Sequence, residues 1–364
     1  MSTPPIPKAS LYYYPGSIWA SVALLALEEK GYGPEEVDLK VVDLSKGENF
    51  APSFLRLNPK ATVPTLVVPL DKTLSSDIES RYKALTDSIA IAEFLDKSRS
   101  ARSRTHTVST APAPSLSPAT PAFLAASNSV IALLHSDALD PNSLFYLAAR
   151  NPDQLAAATP AVLPFLEGRI AALDGFLAES ERPEEDGGLH VTEKVKALWR
   201  EKRLASVAFW EVFRYGTKSE AELDDAAKQR RKEYFEQAKK VWDGVKAPLV
   251  ALNKEIIGPY VLGDQLSLAD LHLAAWLSRV LQLVGSSVGD QGPLAIAKLE
   301  SQVAPDGSLG LPKDFAVLPP QNTPTLDSTP SDSRPPVKVN KLAAFWDAIR
   351  ERPSWAKIYE EGLH

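Results

Sequence analysis

The stretch Gly263–Leu271, GDQLSLADL, carries the strongest local signal in this 364-residue chain. Ser267 can cap the start of a helix, and Asp270, three residues later, can accept a hydrogen bond from the backbone N–H of that cap. This pair is a variant of the capping box, and the leucines on either side occupy the positions of a hydrophobic staple. The residues that follow are apolar around most of the helix circumference. The pattern therefore predicts a buried helix that runs from Ser267 to Val284.

Helical patterns dominate the chain after about residue 121 and predict an all-helical second half. The clearest predicted helices are Pro160–Glu179, Val191–Tyr215, Glu220–Asn253, Ser267–Val284 and Lys341–Glu351. Two regions of different composition interrupt the chain. Residues 99–120 are rich in Ser, Thr, Ala, Pro and Arg, which predicts a linker or an exposed excursion. Residues 285–340 are rich in Pro, Ser, Asp and Gly, which predicts a loop-like insertion.

The first hundred residues alternate strand and helix signals in the order β-α-β and then β-β-α. The predicted strands are Leu11–Tyr14, Val37–Val42, Thr65–Val68 and Ala84–Leu85, and the main predicted helices follow Ser17 and span Ser88–Lys97. Ser17 before the first helix and Gly31 after it are typical residues for a helix start and a helix end. An α/β domain followed by an all-α domain is the predicted fold class.

Composition excludes several classes of function. The formal net charge is −6, so the chain lacks the positive charge with which proteins bind nucleic acid, and no nucleic-acid partner is expected. Cysteine is absent, which rules out disulfides and a cysteine nucleophile. The five histidines show no metal-ligand spacing, so no metal is expected. Without an apolar leader or a membrane-length apolar run, a cytoplasmic protein with no membrane partner is expected.

The capping segment resembles the motif G-D-x-x-[ST]-x-A-D of the cytosolic glutathione transferases. The positions that match are Gly263, Asp264, Ser267, Ala269 and Asp270. The C-terminal stretch KLAAFWDAIRERPSW resembles the closing helix of that family. The resemblance implies a thioredoxin-like glutathione-binding domain over residues 1–98, a Ser/Pro-rich linker over 99–120, and an all-helical substrate domain over 121–364 with the insertion at about 285–340.

The resemblance also implies a glutathione site in the first domain. Pro64 stands where the family has a cis-proline, and the backbone of Val63 would then pair with the cysteinyl part of glutathione as an added strand would. Asp87 and Ser88 match an acidic residue and serine at a helix start, where free N–H groups and the helix dipole favour an anion. Ser88 would bind the γ-glutamyl carboxylate, and Asp87 would face the γ-glutamyl amine.

The glycyl side of this site departs from the family pattern. The family often has a basic or polar pair about nine residues before the Asn-Pro, and here those positions fall near Asn49 and Phe50. Asn49 remains a candidate for the glycyl carboxylate. Lys46 and Lys60 are the nearby cations that could replace the missing basic residue.

Two residues are candidates for the catalytic hydroxyl. The reaction needs the glutathione thiol as thiolate, and one hydrogen bond from a hydroxyl together with a helix dipole could supply the stabilisation. Ser17 stands where serine-dependent members carry that hydroxyl, and Tyr13 stands where tyrosine-dependent members carry theirs. Ser17 is favoured, because it follows the turn and shares the dipole of the first helix. The absence of cysteine excludes the thiol-exchange chemistry of the cysteine-dependent members.

The resemblance implies a glutathione transferase in which glutathione is the cosubstrate and an apolar electrophile or aromatic ligand is the second small molecule. The reaction would be conjugation, peroxide reduction or ether cleavage, in the service of detoxification, and the family relationship implies a homodimer. The alternatives are a non-catalytic protein that binds glutathione conjugates or aromatic ligands, and a regulatory or scaffold protein with the same fold.

Overall fold

The computed structural model describes residues 8–69, 82–100, 109–317 and 336–364. Residues 101–108 of the predicted linker and 318–335 of the predicted insertion lie outside this description. Clustering of contacts divides the chain into two compact units. The first contains Met1–Pro114 and Asn142–Val241, and the second contains Ser115–Pro141 and Trp242–His364.

A four-stranded mixed sheet organises the first unit. Its strands are β1 (Ala9–Tyr13), β2 (Val37–Val41), β3 (Thr65–Pro69) and β4 (Tyr82–Leu85), in the spatial order β2-β1-β3-β4. β1 runs parallel to β2 and antiparallel to β3, and β3 runs antiparallel to β4. The helices interleaved with these strands are α1 (Ile18–Glu29), α2 (Pro52–Leu57) and α3 (Ser88–Ser98). This order confirms the predicted thioredoxin-like β-α-β and β-β-α arrangement.

The helices after the sheet extend both units. They are α4 (Pro121–Leu134), α5 (Pro141–Tyr146), α6 (Pro152–Glu181), α7 (Glu193–Phe213), α8 (Asp225–Gly244), α9 (Lys246–Glu255), α10 (Leu268–Leu283), α11 (Gly292–Val303), α12 (Lys341–Arg350) and α13 (Pro353–Ile358). In the described part of the chain, no single helix is long and apolar enough to cross a membrane. Among the described residues, only the consecutive helices over 121–134 and 137–146, taken together as a bent pair, reach that length and composition.

Helix α6 begins eight residues earlier than the predicted start at Pro160, so that boundary was wrong. The Asn151 side chain caps the helix by accepting a hydrogen bond from the N–H of Gln154 at 2.9 Å, and Pro152 occupies the first turn. A proline after a capping residue is the same start signal that Pro160 offered. Pro160 itself lies inside the helix.

The predicted helix Glu220–Asn253 is interrupted. A short 3-10 helix precedes α8, and the chain breaks at Val245 before α9 begins. Gly244, a weak helix former, lies at the break. Val245 is fully buried, so the bend keeps an apolar side chain in the interior.

Helix α10 is the central helix of the second unit and confirms the prediction made from the capping segment. Asp270 accepts hydrogen bonds from the backbone N–H of Ser267 and from its hydroxyl, at 2.7 and 2.6 Å. The other carboxylate oxygen accepts from the N–H of Val261 at 2.7 Å. Every residue of α10 from Leu268 to Leu281 is buried. The capping box thus closes the start of a helix that is surrounded by protein.

The region 285–340 is only partly a loop, which corrects the expectation for it. Helix α11 lies inside this region, with Pro293 in its first turn. Strands β5 (Phe315–Val317) and β6 (Val337–Val339) pair antiparallel, so the helical half also carries a small sheet. The abundance of proline and glycine around α11 obscured its apolar positions, of which Ala295, Ile296 and Leu299 are fully buried.

Candidate functional site

Three chain segments that carry predicted site residues meet at one edge of the sheet. Because β3 is antiparallel to both β1 and β4, the end of β1, the start of β3 and the end of β4 lie at the same edge. Tyr13 ends β1, Pro64 directly precedes β3, and Asp87 follows β4. The helices α1 and α3 both begin at this edge, so their free N–H groups and positive dipole ends are directed there.

Ser17 is the N-cap of α1. Its hydroxyl accepts a long hydrogen bond of 3.4 Å from the N–H of Ala20, and its own N–H donates to the carbonyl of Tyr14 at 2.9 Å. The side chain is half-buried, and the first turn of α1 contains no acidic residue. A hydroxyl that is only weakly engaged at a helix start can donate a hydrogen bond to an anion.

Tyr13 is also half-buried; it ends β1 and lies four residues before Ser17 in the chain. Its backbone is part of the sheet, where it pairs with Val41 and its carbonyl accepts from the N–H of Val42 at 2.8 Å. Its hydroxyl forms no hydrogen bond with any residue that the structure describes. Both candidate hydroxyls are therefore available.

The Val63–Pro64 peptide bond is cis, as the sequence led us to expect. Pro64 is buried and Val63 is half-buried. Neither the N–H nor the carbonyl of Val63 is bonded within the described residues, so both can pair with an extended ligand.

Two asparagines that precede this peptide bond in the sequence fix the backbone of the segment that leads into it. Asn58, fully buried, donates to the carbonyl of Thr62 at 2.8 Å and to the hydroxyl of Thr65 at 3.0 Å. Asn49 donates to the carbonyl of Ala61 at 2.7 Å, and Ala61 has a left-handed backbone with φ 55°. The sequence offered Asn58 only as part of an Asn-Pro pair, and its bonding role was not predicted.

The start of α3 combines a conventional cap with an unused hydroxyl. Asp87 is the exposed N-cap, and its carboxylate accepts from the N–H of Ala90 at 2.9 Å. Ser88, the first residue of α3, is 6% exposed. Its hydroxyl forms no hydrogen bond with any described residue. A serine hydroxyl that has no partner among the described residues, on a largely buried residue at a helix start, is suited to an anionic ligand.

The candidate residues for binding the glycyl carboxylate differ in their exposure and in their bonding partners. Lys46 is 74% exposed and pairs with Asp43 at 3.0 Å, a hydrogen bond that raises the pKa of the lysine. Asn49 is buried, its amide nitrogen is committed to Ala61, and its oxygen has no described partner. Lys60 is exposed.

Comparison with protein families gives two matches in chain order. Residues 16–98 match the N-terminal domain of glutathione S-transferase, and residues 208–297 match its C-terminal domain. The chain belongs to the glutathione transferase superfamily. The first match contains Ser17, Val63, Pro64, Asp87 and Ser88, and the second contains the capping segment.

Two curated relatives match this chain over short stretches. A tetrachloro-p-hydroquinone reductive dehalogenase of Sphingobium chlorophenolicum is 48% identical over 17% of this chain and 25% of its own length. Glutathione S-transferase 1 of Dianthus caryophyllus is 36% identical over 27% of this chain and 37% of its own length. The chain thus aligns with only a quarter to about a third of the length of these relatives.

Solved glutathione transferase structures align with nearly the whole chain at low identity. A homologue from Sulfitobacter with bound glutathione is 16% identical, with 98% of this chain and 99% of that chain covered and a TM-score of 0.44. Gtt2 from Saccharomyces cerevisiae is also 16% identical, with 96% and 99% covered and a TM-score of 0.45.

Proposed function

We propose that this protein is a glutathione transferase that activates the glutathione thiol as thiolate and directs it at an apolar electrophile. The observation that carries the proposal is the convergence of two helix starts and the unpaired backbone of Val63 at one sheet edge. The γ-glutamyl carboxylate would bind at Ser88 and the cysteinyl backbone at Val63. The thiol would then lie near the start of α1, where Ser17 is the proposed catalytic residue and Tyr13 the alternative.

Ser17 would act by donating a hydrogen bond to the thiolate. On binding, the thiol proton passes to solvent, and the hydroxyl of Ser17 and the dipole of α1 stabilise the sulfur anion. A free cysteine thiol has a pKa of about 8.5, and each unit by which binding lowers it needs about 1.4 kcal/mol. A hydrogen bond to a charged group contributes about 1.5–3 kcal/mol, so this one bond could make the thiolate the main form near neutral pH.

The bond-forming step is nucleophilic attack by the sulfur. In conjugation, the thiolate forms a C–S bond with the electrophilic carbon, and the leaving group departs with the electron pair. The relative named as a reductive dehalogenase makes halogenated aromatic compounds a sensible first class of acceptor to test. Peroxide reduction and ether cleavage would begin from the same thiolate.

The proposal is tested by titrating glutathione into the protein and following thiolate absorbance against pH. We expect the wild type to bind glutathione with a thiol pKa about one to two units below the free value. Ser17→Ala should return the pKa toward the free value and lower kcat by about 10- to 100-fold, because the hydrogen bond is lost. Ser17→Thr keeps a hydroxyl and should retain most of the shift, whereas Tyr13→Phe should change it little.

The opposite results have distinct meanings. No binding of glutathione by the wild type would refute the proposal. Thiolate that survives Ser17→Ala and is lost in Tyr13→Phe would make Tyr13 the catalytic residue. Binding of glutathione or its conjugates without turnover of any acceptor would identify a ligand-binding protein.

A further inference from the structure

Arg169, on α6, is a partly buried cation beside the loop that follows β2. Its guanidinium lies 4.8 Å from the ring centroid of Phe50. Its Nε atom is buried and has no hydrogen-bond partner among the described residues. Among the residues that the structure describes, no carboxylate lies within ion-pair distance of it. Partial burial of a charge without a counter-charge costs free energy, and an anionic ligand would offset that cost.

The guanidinium stays charged in this position. Burial lowers the pKa of Arg169, and a hydrogen bond to the Tyr146 side chain opposes that effect. An arginine begins from so high a pKa that it remains protonated at neutral pH. Phe50 and Tyr146 supply a π-face and a neutral hydroxyl, neither of which neutralises the charge.

The loop beside Arg169 is held firmly against α6 and α7. Trp199, fully buried on α7, donates its indole N–H to the carbonyl of Phe50 at 3.0 Å. The backbone of Ser45 lies so close to Gly168 that a β-carbon at Gly168 would collide with the Ser45 carbonyl oxygen. These contacts fix the position of Phe50, and the Arg169 guanidinium lies over its ring.

The sheet order shows on which side of the proposed glutathione site this cation lies. β2 is parallel to β1, so the chain leaves β2 at the same edge at which Ser17 and Val63 lie. Across that edge, in the order β4-β3-β1-β2, come Ser88, Val63, Ser17 and then the loop over 44–50. Asn49 of this loop bonds to Ala61, two residues before Val63. Seen from Ser88, the loop over 44–50 therefore lies on the far side of Val63.

We propose that Arg169 binds the glycyl carboxylate of glutathione, in place of Lys46 or Asn49. The inference rests on the proposed function, which assigns the γ-glutamyl end to Ser88 and the cysteinyl backbone to Val63. An extended tripeptide held in that way directs its second carboxylate toward the loop over 44–50. There Lys46 is exposed and paired with Asp43, whereas Arg169 has no carboxylate within ion-pair distance among the described residues.

The test compares the binding of two ligands to two proteins, with the Kd of each of the four pairs measured by calorimetry. The ligands are glutathione and its monoethyl ester at the glycyl carboxylate, and the proteins are the wild type and Arg169→Met. We expect esterification to weaken binding to the wild type by about tenfold or more, because a charge-assisted hydrogen bond is lost. In Arg169→Met, glutathione should bind as weakly as the ester, so that esterification has no further effect. Arg169→Lys should recover part of the difference.

Arg203→Leu is the matched control, since this exposed arginine of α7 pairs with Asp174 and should leave the ester-to-glutathione ratio at the wild-type value. A ratio that is also unchanged in Arg169→Met would overturn the inference even if both ligands bind more weakly, because a general disturbance of the fold lowers both affinities. If the wild type binds glutathione and its ester equally well, the inference also fails while the proposed function stands. If the wild type binds neither ligand, both fail.

Discussion

The start of α10 and the starts of α1 and α3 use the same residue types and differ in how many of their polar groups are already bonded. At α10, both carboxylate oxygens of Asp270 accept hydrogen bonds, and the cap is buried. At α1, the hydroxyl of Ser17 has one long bond of 3.4 Å. At α3, the hydroxyl of the largely buried Ser88 is not bonded within the described residues. We call the start of α10 closed, because its polar groups are bonded within the chain, and the starts of α1 and α3 open, because each leaves a hydroxyl that is weakly bonded or unbonded within the described residues.

This difference distinguishes a helix cap that only stabilises the fold from a helix cap that can also bind a ligand. A helix start that satisfies its own N–H groups and excludes solvent contributes stability and offers nothing to a ligand. A start that leaves a hydroxyl and N–H groups open gives up some stability and gains an anion site. Mutation of the closed start should therefore affect unfolding, and mutation of the open starts should affect binding.

The largest effect should come from Asp270→Ala. The substitution leaves the N–H groups of Ser267 and Val261 without their acceptor in a buried place, and each such group costs about 1–3 kcal/mol. We expect a loss of about 4 kcal/mol in the free energy of unfolding, measured by urea denaturation with tryptophan fluorescence. Asp87→Ala is the matched control, because it removes an exposed cap and should cost about 1 kcal/mol. Equal losses in the two variants would contradict the distinction.

The closed start should also respond to pH through two buried groups with opposite signs. Burial raises the pKa of Asp270 to about 6, against the hydrogen bonds from Ser267 and Val261 and the charge of Arg352. Its folded-state pKa exceeds the unfolded value, so its contribution to stability falls as pH rises from 4 to 6. Burial, with a smaller effect of His135, lowers the pKa of His272 to about 3. Its contribution therefore rises with pH over the same interval.

Single variants should reveal the two opposing contributions. Each is worth about 2 kcal/mol between pH 4 and 6, so they nearly cancel in the wild type. Relative to the wild type, Asp270→Asn should gain stability with rising pH, and His272→Gln should lose it. The measurement is the free energy of unfolding of all three proteins at pH 4, 5 and 6. Parallel pH profiles would show that neither group titrates as its burial implies.

Local rules predicted the helix starts from a few adjacent residues. Ser17, Asp87 and Ser267 were each identified by one capping residue and the apolar pattern after it, and each is an N-cap in the structure. The same rules misplaced the start of α6, since Pro160 and Pro152 give the same signal. They also missed α11, whose flanks are rich in glycine and proline. A local pattern cannot rank two equivalent start signals.

The proposed glycyl site could not be predicted from the sequence, because the contacts around it join distant parts of the chain. Trp199 and Phe50 are 149 residues apart in sequence, and only the packing of α7 on the loop brings them together. Arg169 gave no sequence signal, since a lone arginine in a helix is usually a surface residue. The sequence therefore pointed to cations near Asn49, whereas the partly buried cation that we propose for this role comes from α6.

The smallest effect should come from Ser88→Ala at an open start. The hydroxyl makes no bond with any described residue, so its removal should change the free energy of unfolding by less than about 0.5 kcal/mol. Under the proposed function it donates to the γ-glutamyl carboxylate, and losing that bond should weaken glutathione binding by about tenfold. Calorimetric titration of the variant measures the affinity, and urea denaturation measures the stability. A variant that loses stability and keeps its affinity would place Ser88 with Ser267, as a structural residue.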